Sequence, residues 1–383
     1  MNRKVSSLFF AFLFVFMSGF AAAQHETEGE KSAEKVEHAE GDKPFNATKM
    51  IMEHISDSNE WHLWTTKDGN GEEHHTSIPL PIIIKDNSGW HTFLSKDIAH
   101  GHEHDGYTLH EGQVVSTKGI EKATLFAVIS GKQKASDVFF DMSITKNTAS
   151  MFLSVIFMLV IFLGMAKNYK KSQLPKGAGK LLEPVIVFIR DEVAIPNIGS
   201  VKYKRYMPYL LTAFFFIWFN NLFGLIPFFP GGANLTGNIA ITSVLAIITL
   251  LITLFSANKD YWKHIFMPPV PLLLYPIMVP IEIIGIFTKP FALMMRLFAN
   301  ITAGHIMILA IISLIFIFKS PFLGFASVPL ALFVSVLELL VAALQAYIFT
   351  VLSALFIGIA VAEHDHDHAH NDDDSVGHDT MVA

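Results

Sequence analysis

The 383-residue chain contains no cysteine. Disulfides, thiolate catalysis and cysteine-ligated metal sites are therefore excluded. Charge is scarce as well. Asp, Glu, Lys and Arg make up 16% of the residues against 51% hydrophobic ones, too apolar a balance for an ordinary soluble domain. Positive charge is not in excess: the formal net charge is −6, which gives no reason to expect nucleic-acid binding. No Gly-rich loop ends in Gly-Lys-Ser/Thr, so any nucleotide this chain works with is held by another subunit. No internal repeat is evident.

What charge there is lies unevenly. Residues 24–147 are polar and rich in His, Asp, Glu and Lys, whereas residues 148–362 are mostly hydrocarbon. The first 23 residues read as a signal peptide. Arg3 and Lys4 supply the positive start, Leu8 to Phe20 a short apolar core, and Ala21-Ala22-Ala23 a small-residue cleavage site. The alternative is an uncleaved anchor helix. In either case the next domain is exported.

Residues 24–43 carry nothing that packs and read as a disordered leader. Residues 44–147 read as a small mixed α/β exported domain. Its expected elements are a helix over Ala47–Ser56, an edge strand over Ser77–Ile84 whose prolines would break a central ladder, and strands at Gln113–Val115 and Ala123–Ser130. Asp68-Gly69 and Asn87-Ser88-Gly89 are turn signals. His100, His102 and His104 have a spacing that zinc sites use, but no ligand set fixes a geometry.

The membrane domain is expected over residues 148–362. The first span is 148–166, followed at once by Lys167, Lys170, Lys171, Lys176 and Lys180, which marks that flank as cytoplasmic. Residues 178–196 read as an amphipathic helix, either lying on the inner surface or connecting as a soluble helix. Spans at 207–229 and 239–257 come next, with Lys259 and Lys263 again on the cytoplasmic face. Residues 272–318 and 327–362 are each too long for an upright span, and suggest a tilted hairpin. Residues 363–383 form a His/Asp-rich tail, read as disordered although such tracts bind metals adventitiously.

Arg296 sits among Met294, Met295, Leu297 and Phe298, with no polar end to snorkel toward. A guanidinium stays charged at any cellular pH, and placing one at mid-bilayer costs roughly 3 kcal/mol on insertion scales. Helix stability does not offset that cost, so Arg296 is read as functional. Asn300 shares its helix face, four residues on. His305 lies nine residues on, about half a turn around. Glu338 and Gln345, seven apart, share one face of the last segment, which can meet the His305 face while Arg296 looks away. His and Glu take up and release protons, whereas Arg cannot relay them, and a fixed cation beside a proton path blocks hopping. Amides such as Asn300 and Gln345 alone would be helix glue. Arg296, Glu282, His305 and Glu338 together are too costly for packing alone.

These residues resemble a known family. Lys289-Pro290, Met295-Arg296-Leu297-Phe298-Ala299-Asn300 and Ala303-Gly304 are similar to the signature of subunit a of the F-type ATP synthase membrane sector. So are Leu344-Gln345-Ala346-Tyr347-Ile348-Phe349 and Asn220-Asn221-Leu222-Phe223-Gly224-Leu225-Ile226-Pro227. Thr236-Gly237-Asn238 resembles the external loop, with Asn238 where an aspartate is common. The resemblance covers residues 140–362. It implies an all-α polytopic membrane fold and an ion-translocating stator subunit of a rotary motor for ATP synthesis. Arg296 would face the proteolipid ring (subunit c) and separate two proton half-channels. Asn300, His305, Glu338, Gln345 and Asn238 would line the outer one, and Glu282 and Lys289 would sit near the cytoplasmic one.

Partners implied are that ring, peripheral stalk subunit b, the other ATP synthase subunits and the lipid bilayer, with no nucleic acid, cofactor or bound metal. The implied location is a bacterial inner membrane, with the N-terminal domain periplasmic and the C-terminus cytoplasmic. Many members carry an acid where this chain has His305 and a histidine where it has Glu338, so the couple is exchanged rather than lost. The His-rich ends motivate one alternative, a divalent-metal transporter, although such a protein normally shows repeats and ligands inside several helices.

Overall fold

A computed structural model describes residues 47–67, 73–110, 112–123, 138–171, 174, 177–226, 231–268, 270–318 and 320–362. The expected signal peptide, leader and C-terminal tail, the Asp68-Gly69 turn, and the expected strand after Ala123 lie outside the described residues. The chain forms two compact units, one running to Lys146 and the other from Asn147, with residues 54–56 grouping with the second.

The first unit opens with α1 (Ala47–Ile55) and continues as strands β1 (Glu60–Lys67), β2 (Glu73–Pro79), β3 (Pro81–Asp86) and β4 (Gly89–Leu94). Two short 3-10 turns lead to β5 (Tyr107–His110), β6 (Gln113–Ser116), β7 (Glu121–Lys122) and β8 (Val138–Asp141). β1 and β2 form one antiparallel pair, β5 and β6 another, and the four-stranded sheet has the order β4-β3-β8-β7. β3 alternates strictly: Ile82 and Ile84 point into a core with Phe93, Ile98, Tyr107, Val114 and Phe139.

The expected edge strand over residues 77–84 is corrected here. The run is two strands broken at Leu80, whose backbone N–H donates to Ser95 Oγ. β3 is internal, bonded to β4 and β8. Pro79 closes β2 and Pro81 opens β3, so neither proline removes a donor from mid-ladder.

The second unit is helical: α2 (Lys146–Lys171), α3 (Gly179–Phe188), a π-helical turn (Ile189–Ala194), α4 (Ile195–Ile198), α5 (Tyr203–Leu225), α6 (Ile239–Ser256), α7 (Lys259–Phe266), α8 (Tyr275–Phe318) and α9 (Pro321–Val361). Five of these, α2, α5, α6, α8 and α9, are long and apolar enough to cross a membrane. At 1.5 Å per residue α8 is about 66 Å long and α9 about 62 Å, each twice the ~30 Å hydrocarbon core, so both must tilt. α8 is one continuous helix despite Pro280 and Pro290.

The core of this unit gathers Leu210, Phe215 and Ile217 of α5, Leu293 and Leu297 of α8, and Ala346, Phe349 and Ile357 of α9. Ile189, Val193, Ala194 and Ile198 join it. The 178–196 segment is amphipathic as expected, with Leu182, Ile189, Val193 and Ala194 buried and Leu181, Val187 and Phe188 exposed. Its apolar stripe is satisfied by the helical bundle, and a π turn re-aims it midway. At the far end of α9, the Val361 carbonyl accepts from Lys202 Nζ at 2.8 Å and Asn258 Nδ2 at 2.9 Å. The Ala360 carbonyl accepts from the Asn258 N–H. These donors satisfy carbonyls that a helix C-terminus leaves orphaned.

Candidate functional site

Helices α8 and α9 run antiparallel, which brings their polar residues together in two steps. Asn300 Nδ2 donates to Gln345 Oε1 at 2.9 Å. Five residues further along α8 and seven residues back along α9, His305 Nδ1 meets Glu338 Oε1 at 2.6 Å. The Glu338 side chain is 3% exposed and that of His305 13%. Burial of a carboxyl and an imidazole in hydrocarbon is tolerable only where they pair. Glu338 Oε2 and Gln345 Nε2 are buried and have no hydrogen-bond partner among the described residues, which leaves each side chain with unused hydrogen-bonding capacity.

One glycine creates the space, and a second marks where α5 meets the imidazole. A Cβ at Gly304 would lie 2.7 Å from Glu338 Oε1 and 2.8 Å from its Cδ, so the carboxyl lies across bare α8 backbone. A Cβ at Gly224 of α5 would lie 3.5 Å from His305 Nε2, which places the far edge of the imidazole against α5. One turn earlier on α5, Asn221 is buried, accepts from Thr236 Oγ1 at 2.6 Å, and donates to the Ala342 carbonyl of α9. Asn220 donates to the Phe216 carbonyl, and its Oδ1 is buried without a partner among the described residues. Asn221 thus links the Thr236 hydroxyl to α9 one turn from Glu338, and Gly224 brings α5 against His305. The roles of Asn220, Asn221, Thr236, Gly224 and Gly304 were not assigned from sequence. The available signal was the doubled asparagine inside an apolar helix.

The other expected site residues fall elsewhere. Arg296 is exposed on α8, while its neighbours Leu293, Met294 and Leu297 are buried, so it projects away from the bundle. It makes no ion pair with a described residue. Asn238 is an N-cap: its Oδ1 accepts from the Ala240 N–H at the start of α6. Lys289 is exposed and holds its ammonium 5.8 Å from the centre of the Phe356 ring. It lines a cleft with Thr249, Thr253, Tyr261 and Phe356. Burial pushes the Tyr261 phenol up, and the negative charge of Glu282 adds to the shift. Along α8, then, Glu282 and Lys289 lie on one side of Arg296, and Asn300 and His305 on the other.

This is also the segment that known proteins share. The profile of the ATP synthase A chain family matches residues 148–358. The chain belongs to that family. Subunit a of the ATP synthase of Chloroherpeton thalassium is 50% identical over 247 residues, 62% of this chain and 71% of that one. The Myxococcus xanthus subunit a is 44% identical over 245 residues, 62% of this chain and 78% of that one. The Anaeromyxobacter dehalogenans subunit a is 46% identical over 225 residues, 57% of this chain and 58% of that one. Residues 50–138 match a domain family of unknown function. As an ATP synthase A chain, the protein is a multi-pass membrane protein that works with the other subunits of that enzyme. The metal-transport alternative draws no support from these relatives.

Proposed function

We propose that this chain is the ion-translocating stator subunit of a rotary ATP synthase. Its α8–α9 hairpin would carry protons between two half-channels and the carboxylates of a moving proteolipid ring (subunit c). The observation that carries this reading is the contrast between two kinds of ionisable group on one helix. His305 is paired inside the chain with Glu338, while Arg296 projects outward with no carboxylate partner among the described residues. An outward cation on a membrane helix needs an acid from a partner.

In this reading a proton enters along Asn220, Asn221, Asn300 and Gln345 and is passed by His305 and Glu338 to a ring carboxylate. The neutral ring site turns through lipid and releases its proton on the side of Glu282 and Lys289. Arg296 then faces the emptied carboxylate and keeps protons from crossing directly. Each proton descending 100 mV releases about 2.3 kcal/mol to drive the ring. Asn238 takes a supporting part by fixing the start of α6. Peripheral stalk subunit b, a bacterial inner membrane, a cleaved signal peptide, a periplasmic first unit and a cytoplasmic C-terminus complete the reading. The lysines after α2 and at the start of α7 support that orientation.

A disulfide trap tests it. The chain has no cysteine, so Ala299→Cys, exposed three residues after Arg296, introduces a single thiol. With cysteines placed next to the ring carboxylate, oxidation is expected to join this chain to subunit c. If position 299 fails to join the ring, or joins another subunit instead, the reading is wrong.

A further inference from the structure

One face of the four-stranded sheet of the first unit packs on its core, and on the other face several large apolar side chains of β4 and β8 are exposed. The register sets Trp90 of β4, Lys85 of β3 and Phe140 of β8 in one row. Beside that row, Ile83 lies next to Met142, whose N–H donates to the Ile83 carbonyl. Leu94 continues the same side of β4. Trp90 is 60% exposed, Met142 61% and Phe140 39%. The ammonium of Lys85 sits 5.4 Å from the centre of the Trp90 ring. An open sheet face of this composition is unusual for a solvated domain, whose outward residues alternate to polar.

The chain itself says what lies near this face. β8 does not end in a free loop. The Ile144 N–H still bonds the Pro81 carbonyl, and the membrane-crossing helix α2 starts at Lys146. Three residues, Ser143 to Thr145, separate Met142 from that helix, and the extended chain from Met142 to Lys146 reaches about 14 Å at most. The β8 end of this face is thus tied by a short link to the start of a membrane-crossing helix. Trp, Phe and Met around a lysine that bends its stem along an aromatic ring are the side chains that settle at a lipid–water boundary.

We propose that the Trp90–Lys85–Phe140–Met142 face docks on the phospholipid headgroup region of the membrane that α2 crosses, with Lys85 attracted to anionic headgroups. It rests on α2 crossing the bilayer and not on the ion-translocating role, so each stands or falls without the other.

The test uses nitroxide labels on Trp90→Cys and Met142→Cys in the full-length, otherwise cysteine-free chain. The protein is reconstituted in phosphatidylethanolamine–phosphatidylglycerol vesicles. Val115→Cys, exposed on β6 outside this sheet, serves as the control and reports that the domain is folded through its label mobility. Collisions with oxygen, which concentrates in lipid, are compared with collisions with a water-soluble nickel chelate. The proposal expects positions 90 and 142 to shift toward oxygen relative to 115, and the shift to shrink when phosphatidylglycerol is left out. Labels as open to the nickel chelate as position 115 would overturn it. Labels immobilised and shielded from both reagents would overturn it too, since a protein surface, from a second copy or another subunit, would then cover the face.

Discussion

His305 and Glu338 meet across the α8–α9 hairpin at 2.6 Å, one a base and the other an acid, each supplied by a different helix. The family resemblance places an acid and a histidine at these two positions in the opposite order. What the hairpin needs is therefore the couple, not which helix carries which member. His305→Glu and Glu338→His are each expected to lower proton-driven ATP synthesis by roughly 100-fold, the scale of losing a positioned proton-transfer group. The double exchange is expected to recover most of it. Synthesis rates in inverted vesicles for the four proteins check this. A double variant no better than the worse single one would mean the contact is packing only.

Gly304 has a narrower job, to let the Glu338 carboxyl lie on α8 backbone. Gly304→Ala is expected to displace Glu338 and to lower ATP synthesis while the protein still assembles. Adding Glu338→Ala should remove the clash and restore thermal stability in detergent without restoring synthesis. Comparing melting temperature with activity across the two variants separates space from chemistry.

At the cytoplasm-proposed end, the α9 terminus depends on Lys202 and Asn258. Hydrogen bonds from charged donors to buried carbonyls are worth about 1.5–3 kcal/mol, and a cation at a helix C-terminus adds to this. Lys202→Met is expected to lower the detergent melting temperature of the purified chain, and Lys202→Arg to retain most of it. Equal melting for wild type and Lys202→Met would show that the Asn258 bonds suffice alone.

The first unit has its own acid limit. Burial alone would raise the Asp86 carboxyl, but hydrogen bonds from Ser88, Tyr107 and His91 outweigh it and hold that carboxyl well below the usual carboxylate range. Burial, and then the bond to Asp86, pushes the Tyr107 phenol up. A group lowered on folding stabilises fully above its unfolded value of about 3.9, and that contribution fades as pH falls toward the folded value. Pepsin nicking of residues 47–146 in the full-length protein is expected to rise steeply below about pH 4. Asp86→Asn should be nicked more readily at pH 5 and show a shallower acid limb.

Much of this was legible from the sequence because membranes make polar residues conspicuous. Arg296, Asn300, His305, Glu338 and Gln345 stand out against hydrocarbon, and helical periodicity together with an assumed hairpin allows the His305 and Glu338 faces to meet with Arg296 looking away. Three features were not legible. Two prolines that read as an edge strand turned out to be strand ends, because their effect depends on which neighbour needs the missing N–H. The 178–196 stripe is satisfied by α5 and α9, which are distant in sequence. The N-cap role of Asn238 at the start of α6 is the third, since the motif position does not show it. Gly224 and Gly304 illustrate the remaining gap. A glycine in a helix shows its purpose only when the side chain that fills its space is known.

The most direct test of the central claim is to measure ATP synthesis and passive proton flux together, in the same vesicles, for Arg296→Ala. An outward cation that divides two half-channels predicts that proton-driven synthesis is abolished while protons still cross, or cross faster. Normal synthesis in that variant would contradict the account, as would lost synthesis with the membrane sealed to protons.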